Sequence, residues 1–260
     1  MKQMTIQGAN WAYDEQGAGQ PIVLVHGFPL DRRLWAGVAA DLAKDHRVIS
    51  IDLPGFGKST LGAGFTIQSL GDGIAELANK LQLNKFALAG LSMGGYVVEA
   101  FASRHQPLLS GLVLVDTKAE ADNPQQKQGR DKMIELVRTA GSKAVADDML
   151  GKMLSPETIR TSPQVVRDLR SMMEAVPPKT IETALAAMRD RSEYLSLLPK
   201  LTVPLLIIVG QDDVIAPPAL AEAMQKAAPK SKLAVIPAAG HLAPLEQPKA
   251  VADALRQFLA

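Results

Sequence analysis

The chain contains no cysteine among its 260 residues. It can therefore have no disulfide framework, no cysteine nucleophile and no thiolate metal site. A chain of this length can nevertheless bury a sizeable core without cross-links or metals. We expect one large α/β domain that is stabilised by packing alone.

The chain also has no long apolar run and almost no net charge, and only 4% of its residues are aromatic. The longest apolar runs, such as Leu205-Leu206-Ile207-Ile208-Val209, are far too short to span a bilayer, and residues 1–5 lack the apolar segment of a secretory signal. The net charge of +1 gives no reason to expect nucleic acid or an anionic membrane as a partner. We predict a globular, cytoplasmic protein that binds a small molecule; the oligomeric state stays open.

Short apolar runs alternate with segments of helical periodicity. The runs predict buried parallel strands at residues 22–25, 48–51, 86–89, 112–115, 205–209 and 233–236. Helices are predicted around 34–43, 67–82, 94–106, 218–228 and 248–259. This alternation indicates a mostly parallel sheet with helices on both faces, and segments near 3–7 and 10–14 indicate an antiparallel edge.

One interval is too long for an ordinary crossover. Roughly ninety residues separate Asp116 from Leu205, whereas a crossover between parallel strands needs about a dozen or two. We predict a helical lid at 120–196 over the carboxyl edge of the sheet, inserted into a core of 1–119 and 197–260. Scaffold helices away from any site are the alternative. The polar stretch 122–130 is expected to be a mobile hinge.

The run Gly90-Leu91-Ser92-Met93-Gly94 lies between a predicted strand and a predicted helix. A Ser flanked by glycines in this position is the pattern of a nucleophile elbow, a sharp turn that exposes the hydroxyl. Its strained backbone and close main-chain contacts require small neighbours. Ser92 is therefore a candidate nucleophile, and the Met93 amide lies where a helix N-terminus stabilises negative charge. An ordinary glycine-rich turn is the alternative.

A serine nucleophile needs a base, and the chain has only four histidines. His241 follows the final predicted strand, where a loop can return it to the carboxyl edge, and it is the favoured base. His26 ends an early strand. His46 and His105 lie in polar contexts near helix ends and are expected on the surface.

The base needs a carboxylate that fixes its tautomer. Asp212 and Asp213 follow the strand at 205–209, and Asp116 ends the strand before it. Spacing alone does not separate these three candidates, and each could instead cap a helix or a turn.

Nothing in the sequence indicates a cofactor or a metal. Gly57-Lys58-Ser59 is similar to the end of a phosphate-binding loop, but Asp52 stands where that motif requires its first Gly. No His, Asp or Glu cluster has the spacing of metal ligands. We therefore predict neither a metal nor an organic cofactor.

Five motifs occur together along the chain. They are His26-Gly27-Phe28-Pro29, the segment 52–59, Gly90-Leu91-Ser92-Met93-Gly94-Gly95, Gly210-Gln211-Asp212-Asp213 with Pro217, and Gly240-His241. In this order they resemble the α/β-hydrolase superfamily, and most of all its small cytoplasmic lidded carboxylesterases and enol-lactonases. The resemblance covers nearly the whole chain, but the region 120–196 carries no motif of the family.

The resemblance implies a role for three of the candidates. Ser92 becomes the nucleophile and His241 the base. Asp213 becomes the orienting acid, because the acid of the family lies three residues after the Gly that Gly210 matches. Asp212 and Asp116 stay as alternatives.

The resemblance also implies an oxyanion hole made of two backbone amides. They belong to Met93, which follows the nucleophile, and to Phe28, which follows the His-Gly pair. His26 then shapes the oxyanion loop and is not a second base.

These roles predict a serine hydrolase that cleaves carboxylic esters or lactones of short-to-medium acyl length through an acyl-enzyme. Three alternatives keep the same triad. They are hydrolysis of carbon–carbon bonds, cofactor-free perhydrolysis of the haloperoxidase kind, and ligand binding by a receptor-like protein with marginal turnover.

Overall fold

A single eight-stranded sheet runs through the computed structural model, which describes residues 1–260. Its strands are β1 (Lys2–Ile6), β2 (Ala9–Gln16), β3 (Pro21–Val25), β4 (Arg47–Ile51), β5 (Phe86–Leu91), β6 (Leu109–Val115), β7 (Leu205–Gly210) and β8 (Lys232–Ile236). Their order is β1-β2-β4-β3-β5-β6-β7-β8. The β1–β2 and β2–β4 pairs are antiparallel and all other pairs are parallel, so the predicted sheet and its antiparallel edge are confirmed.

Helices connect the strands and cover the sheet. They are α1 (Ala36–Leu42), α2 (Ile67–Lys80), α3 (Met93–His105), α4 (Pro124–Met153), α5 (Pro156–Thr161), α6 (Pro163–Glu174), α7 (Pro178–Arg189), α8 (Pro218–Ala227), α9 (Ala243–Glu246) and α10 (Pro248–Leu259). The five helices predicted from periodicity are confirmed as α1, α2, α3, α8 and α10. No helix is both long and apolar enough to cross a bilayer.

The sheet separates two hydrophobic clusters. Because side chains alternate along a strand, Val23 and Val25 of β3 enter one cluster, whereas Ile22 and Leu24 enter the other. The first cluster packs against α2, α3 and α8, and the second packs against α1 and α10. The central strands are thus buried on both faces, as their continuous apolar runs predict.

The last strand is an exception. The run at 233–236 was expected to be buried, but in β8 only Ile236 is buried and Val235 is 46% exposed. The reason is position, since β8 is the outermost strand of the sheet and has a neighbour on one side only.

Four helical segments, α4 to α7, form the long insertion between β6 and β7, and α4 is broken at Gly141, whose φ of +75° and ψ of −175° are not helical. The expected hinge at 122–130 is wrong, because this stretch holds the first turns of α4. Asn123 caps the helix: its Oδ1 accepts the N–H of Gln126 at 2.9 Å, and Gln126 Oε1 accepts the N–H of Asn123 at 3.1 Å. Pro124 occupies the first helical turn, where its missing N–H costs nothing.

The turn from β5 into α3 brings backbone segments very close together. Ser92 has φ +53° and ψ −114°, an uncommon conformation for a residue with a side chain. A Cβ atom on Gly90 would lie 2.2 Å from the Gly94 oxygen, and one on Gly94 would lie 2.5 Å from the Val25 oxygen. Both positions must therefore be glycine for α3 to begin against the end of β3.

We expect Gly94→Ala to destabilise the protein by about 2 kcal/mol or more, because the clash is with backbone that cannot rotate away. Gly151→Ala in α4 is the matched control. No atom lies within 4 Å of that added Cβ, so the change should stabilise the helix by about 0.5–1 kcal/mol. Thermal unfolding measures both, and equal Tm values for the two variants would contradict the contact described at Gly94.

Candidate active site

Three loops at the carboxyl edge of the sheet bring one serine, one histidine and one aspartate together. Ser92 follows β5, Asp213 follows β7 and His241 follows β8. His241 Nε2 lies 2.9 Å from Ser92 Oγ, and His241 Nδ1 lies 2.8 Å from Asp213 Oδ2. His241 and Asp213 are buried, whereas Ser92 is half-buried. The sequence candidates thus form one continuous hydrogen-bonded chain.

The second oxygen of Asp213 is held by backbone. Its Oδ1 accepts the N–H groups of Ile215 at 2.8 Å and Ala216 at 2.9 Å. Burial opposes ionisation, but the hydrogen bond and charge of His241, together with these two amides, hold the pKa of Asp213 below its usual value. An ionised Asp213 keeps a proton on Nδ1 of the imidazole, so that Nε2 is free to accept one from the serine.

The other two candidate acids do not contact His241. Asp212 is exposed. Asp116 is fully buried, and its two oxygens accept the N–H groups of Gly210 at 2.7 Å and Ala243 at 3.2 Å. Burial, and then the charge of the neighbouring triad carboxylate, raise the pKa of Asp116 well above its usual value. Asp116 therefore braces the acid loop against the segment that follows the base, and its burial disfavours the charged form.

A second carboxyl group holds the loop of the base from the other side. Glu246 accepts the N–H of Gly240 at 2.8 Å and the N–H of Ser155 at 2.7 Å. Ser155 caps α5 and belongs to the helical insertion. The loop that carries His241 is thus fixed to the insertion as well as to the core.

His26 supports the neighbouring loop, as expected. Its Nε2 accepts the N–H of Leu53 at 3.0 Å, and its Nδ1 lies 2.8 Å from the Gly27 oxygen, so the proton is on Nδ1. Burial lowers the pKa of His26 and keeps the ring neutral. A Cβ on Gly27 would lie 3.2 Å from Ser92 Cβ, which places this loop directly beside the serine.

The backbone N–H groups of Phe28 and Met93 have no acceptor within the chain. Met93 is the first residue of α3, where helical N–H groups are always left unpaired. Both donors are therefore available beside Ser92, at the two positions that the sequence resemblance names.

The remaining histidines are remote from these loops. His105 is half-exposed and lies 2.8 Å from Asp72. His46 is buried rather than on the surface, because Gly17 in the loop between β2 and β3 packs against its backbone. No group of three or more His, Asp or Glu side chains is arranged to hold a metal ion.

Ser92 and His241 open into a cavity of about 280 Å³. Its apolar wall consists of Phe28, Met133, Met149, Leu185, Met188 and Ile215. Its polar wall includes Tyr96, Lys118, Asp122, Gln126 and Arg130.

No sequence motif predicted the polar wall of this cavity. The available signals were the position of Lys118 just after β6 and the Asn123–Gln126 capping pattern, which places Gln126 and Arg130 on the first turns of a helix.

A sharp turn bearing a serine after a parallel strand, with an aspartate and a histidine from later loops, defines a hydrolase of α/β architecture. The profile of the alpha/beta hydrolase fold matches residues 20–248. The chain belongs to this family.

Individual relatives cover the chain almost completely. A thermophilic esterase from Thermogutta terrifontis, solved with malate bound, is 40% identical with a TM-score of 0.96, and the match covers 100% of this chain and 98% of that one. The enol-lactonase from Burkholderia xenovorans LB400 is 25% identical with a TM-score of 0.92 over 99% of each chain. A Mycobacterium tuberculosis protein with the provisional name non-heme bromoperoxidase BpoC is 29% identical over 96% of this chain and 98% of its own.

One buried carboxyl group near the site has no partner. Both oxygens of Glu99, on α3, lie in the interior without a hydrogen bond to the chain. Burial raises the pKa of Glu99 well above its usual value, although the charge of Arg191 acts in the opposite direction. We infer that the pKa of Glu99 is higher in the folded protein than in the unfolded chain.

This inference predicts that Glu99→Gln becomes relatively more stabilising as the pH rises. Folding raises the pKa of Glu99, so the wild type loses stability between the unfolded pKa of about 4.3 and the higher folded value. The amide has no such penalty. Urea unfolding at about pH 4.5 and about pH 8 should show the stability difference growing by about 1 kcal/mol or more. The exposed Glu135→Gln should show no such trend, and a flat difference for Glu99→Gln would mean that folding does not raise the pKa of Glu99.

Proposed function

We propose that the chain is a serine hydrolase of carboxylic esters or lactones with short-to-medium acyl groups. The observation that carries the proposal is the hydrogen-bonded chain Ser92–His241–Asp213 at the mouth of a partly apolar cavity. Such a chain activates a hydroxyl that is otherwise a poor nucleophile at neutral pH.

In the proposed reaction Ser92 Oγ attacks the carbonyl carbon while His241 Nε2 accepts its proton. The N–H groups of Phe28 and Met93 donate to the oxyanion of the tetrahedral intermediate, and each such donor is commonly worth about 3 kcal/mol of the barrier. The protonated His241, stabilised by Asp213, then gives its proton to the leaving alcohol. Water attacks the acyl-enzyme in the same way and releases the acid.

The helical insertion, residues 120–196, is proposed to act as the lid of this site. Met133 and Met149 of α4 and Leu185 and Met188 of α7 line the cavity that Ser92 enters. Their flexible side chains suit an acyl group of moderate size. The cavity volume of about 280 Å³ is at the small end for ligand pockets, which favours short-to-medium acyl groups.

The relatives support hydrolysis of an ester or a lactone. The esterase from Thermogutta terrifontis is 40% identical over the whole chain, and the second relative named above is an enol-lactonase. The candidate side chains lie in the order Ser, Asp, His along the sequence, which is the order typical of the family.

Ser92→Ala should lower the turnover of nitrophenyl esters at least about a thousandfold, because the three side chains act as a unit. Steady-state hydrolysis over a series of acyl lengths tests this and sizes the pocket. A loss of only about tenfold would require another nucleophile. Ligand binding by a wild type that shows no turnover would favour the receptor-like alternative.

Asp213→Asn should be far more damaging than Asp212→Asn, because only Asp213 contacts His241. An amide at this position allows the wrong imidazole tautomer, which costs about ten-thousandfold in a comparable triad. Asp212 is exposed, so its amide variant is the matched control. The reverse ranking of kcat would overturn the assignment of the acid.

Perhydrolysis is the second candidate, and the similarity to the provisionally named bromoperoxidase favours it. Hydrogen peroxide would replace water in the attack on the acyl-enzyme and release a peracid. Peracid formation from acetate and peroxide, measured for wild type beside Ser92→Ala, tests this activity. A rate that does not depend on Ser92 would exclude it.

A further inference from the structure

Two cationic side chains line the same cavity as the serine and the histidine. We propose that Lys118 and Arg130 form a subsite for a carboxylate that the substrate carries away from its scissile carbonyl. This inference rests on the proposed hydrolysis of esters or lactones. It narrows the substrate class to those that bear an anionic group.

Both cations keep donors that the protein does not use. Lys118 is only 11% exposed; its Nζ donates to Gln126 Oε1 at 2.7 Å and lies 3.2 Å from Asp122 Oδ1, which leaves a third N–H. Arg130 donates to Asp122 Oδ2 through Nε at 3.0 Å, and its two terminal nitrogens have no partner in the chain. A guanidinium fork of this kind matches the two oxygens of a carboxylate.

The carboxylate of Asp122 cannot balance the positive charge around it. Arg191 Nη1 lies 2.8 Å from Asp122 Oδ1, and both side chains are 1% exposed. Lys118 and Arg130 therefore share the Asp122 carboxylate with a third cation, Arg191, whose charge also acts on Glu99. Asp116 also lines the cavity, but its pKa is raised well above the usual value, which disfavours its charged form. Burial lowers the pKa of Lys118, and the positive charges of Arg191 and Arg130 lower it further. The charge and hydrogen bond of Asp122 act in the opposite direction.

An excess of half-buried positive charge is costly unless an anion accompanies it. An anion in the cavity can reach both side chains, because Lys118 and Arg130 both line it. An ester with a terminal carboxylate could place its carbonyl at Ser92 and its alkyl chain along the methionines. Its charge would then lie at Lys118 and Arg130. Lys118 belongs to the core and Arg130 to α4, so this carboxylate would also connect the two parts.

Two substrates that differ only at the far end test the proposal. Monomethyl adipate carries a carboxylate where methyl hexanoate carries a methyl group, and proton release measures hydrolysis of both. The wild type should favour the adipate ester in kcat/KM by about tenfold or more, as expected for a charge-assisted contact. Lys118→Met and Arg130→Gln should each lower that preference at least about fivefold, mainly through KM.

The control is Lys127→Met, which removes one exposed positive charge from the same helix outside the cavity. It should keep the preference within about twofold, because exposed charges contribute little. Arg130→Lys should recover part of the preference, since it restores the charge without the fork. Equal kcat/KM for the two esters in the wild type, or the same loss in Lys127→Met, would overturn the proposal.

A binding measurement separates this proposal from the proposed function. Adipate titrated into Ser92→Ala should bind at least about tenfold more tightly than into Ser92→Ala with Lys118→Met. If the wild type hydrolyses neither ester but this difference holds, the hydrolase proposal fails and the subsite remains. If the wild type hydrolyses both esters and the two variants bind adipate equally, the subsite fails and the hydrolase remains.

Discussion

The close approach of the α3 N-terminus to the end of β3 is the contact on which the site depends. With glycine at position 94, helix and strand backbones come within the space that one Cβ atom would fill. Ser92 accepts a strained conformation as a result, and its hydroxyl extends from the sheet edge towards His241. The strain is possible because the flanking strand and helix are buried in the core on both sides and cannot relax.

The remaining parts of the site are held to this turn by buried polar contacts. Asp116 connects the acid loop to the segment after the base, and Glu246 connects the loop of the base to the insertion. Neither residue contacts His241, but both hold the loops that carry it and Asp213. Burial raises the pKa values of Glu99 and Asp116, whereas the cations around Asp122 hold the pKa of that carboxyl below its usual value. Burial thus disfavours the charged form of the first two acids, whereas ion pairs favour it in Asp122.

The sequence predicted what is encoded locally. The strand runs, the glycines around Ser92 and the position of His241 after the last strand were sufficient to predict the sheet and two of the three side chains in the hydrogen-bonded chain. The choice of Asp213 needed a family resemblance, because adjacent aspartates differ only in which way the loop turns them.

Two predictions failed for identifiable reasons. The run in β8 is apolar but lies at an edge that only the strand order reveals, and the supposed hinge at 122–130 begins with a capping box that favours a helix. The polar wall could not be predicted, since Lys118 and Arg130 come together at Asp122 only through the tertiary fold.

The methionines of the cavity wall make the pocket sensitive to oxidation. In a chain without cysteine, the thioethers of Met133, Met149 and Met188 place sulfur atoms in the wall of the cavity that Ser92 enters. Oxidation converts a thioether into a polar sulfoxide that packs poorly against an alkyl chain. A protein that used hydrogen peroxide in this cavity would therefore expose the thioethers of its own binding surface to oxidation. Ester hydrolysis uses no oxidant and would leave these methionines intact. Sulfoxide formation at the cavity methionines would therefore distinguish perhydrolysis from ester hydrolysis.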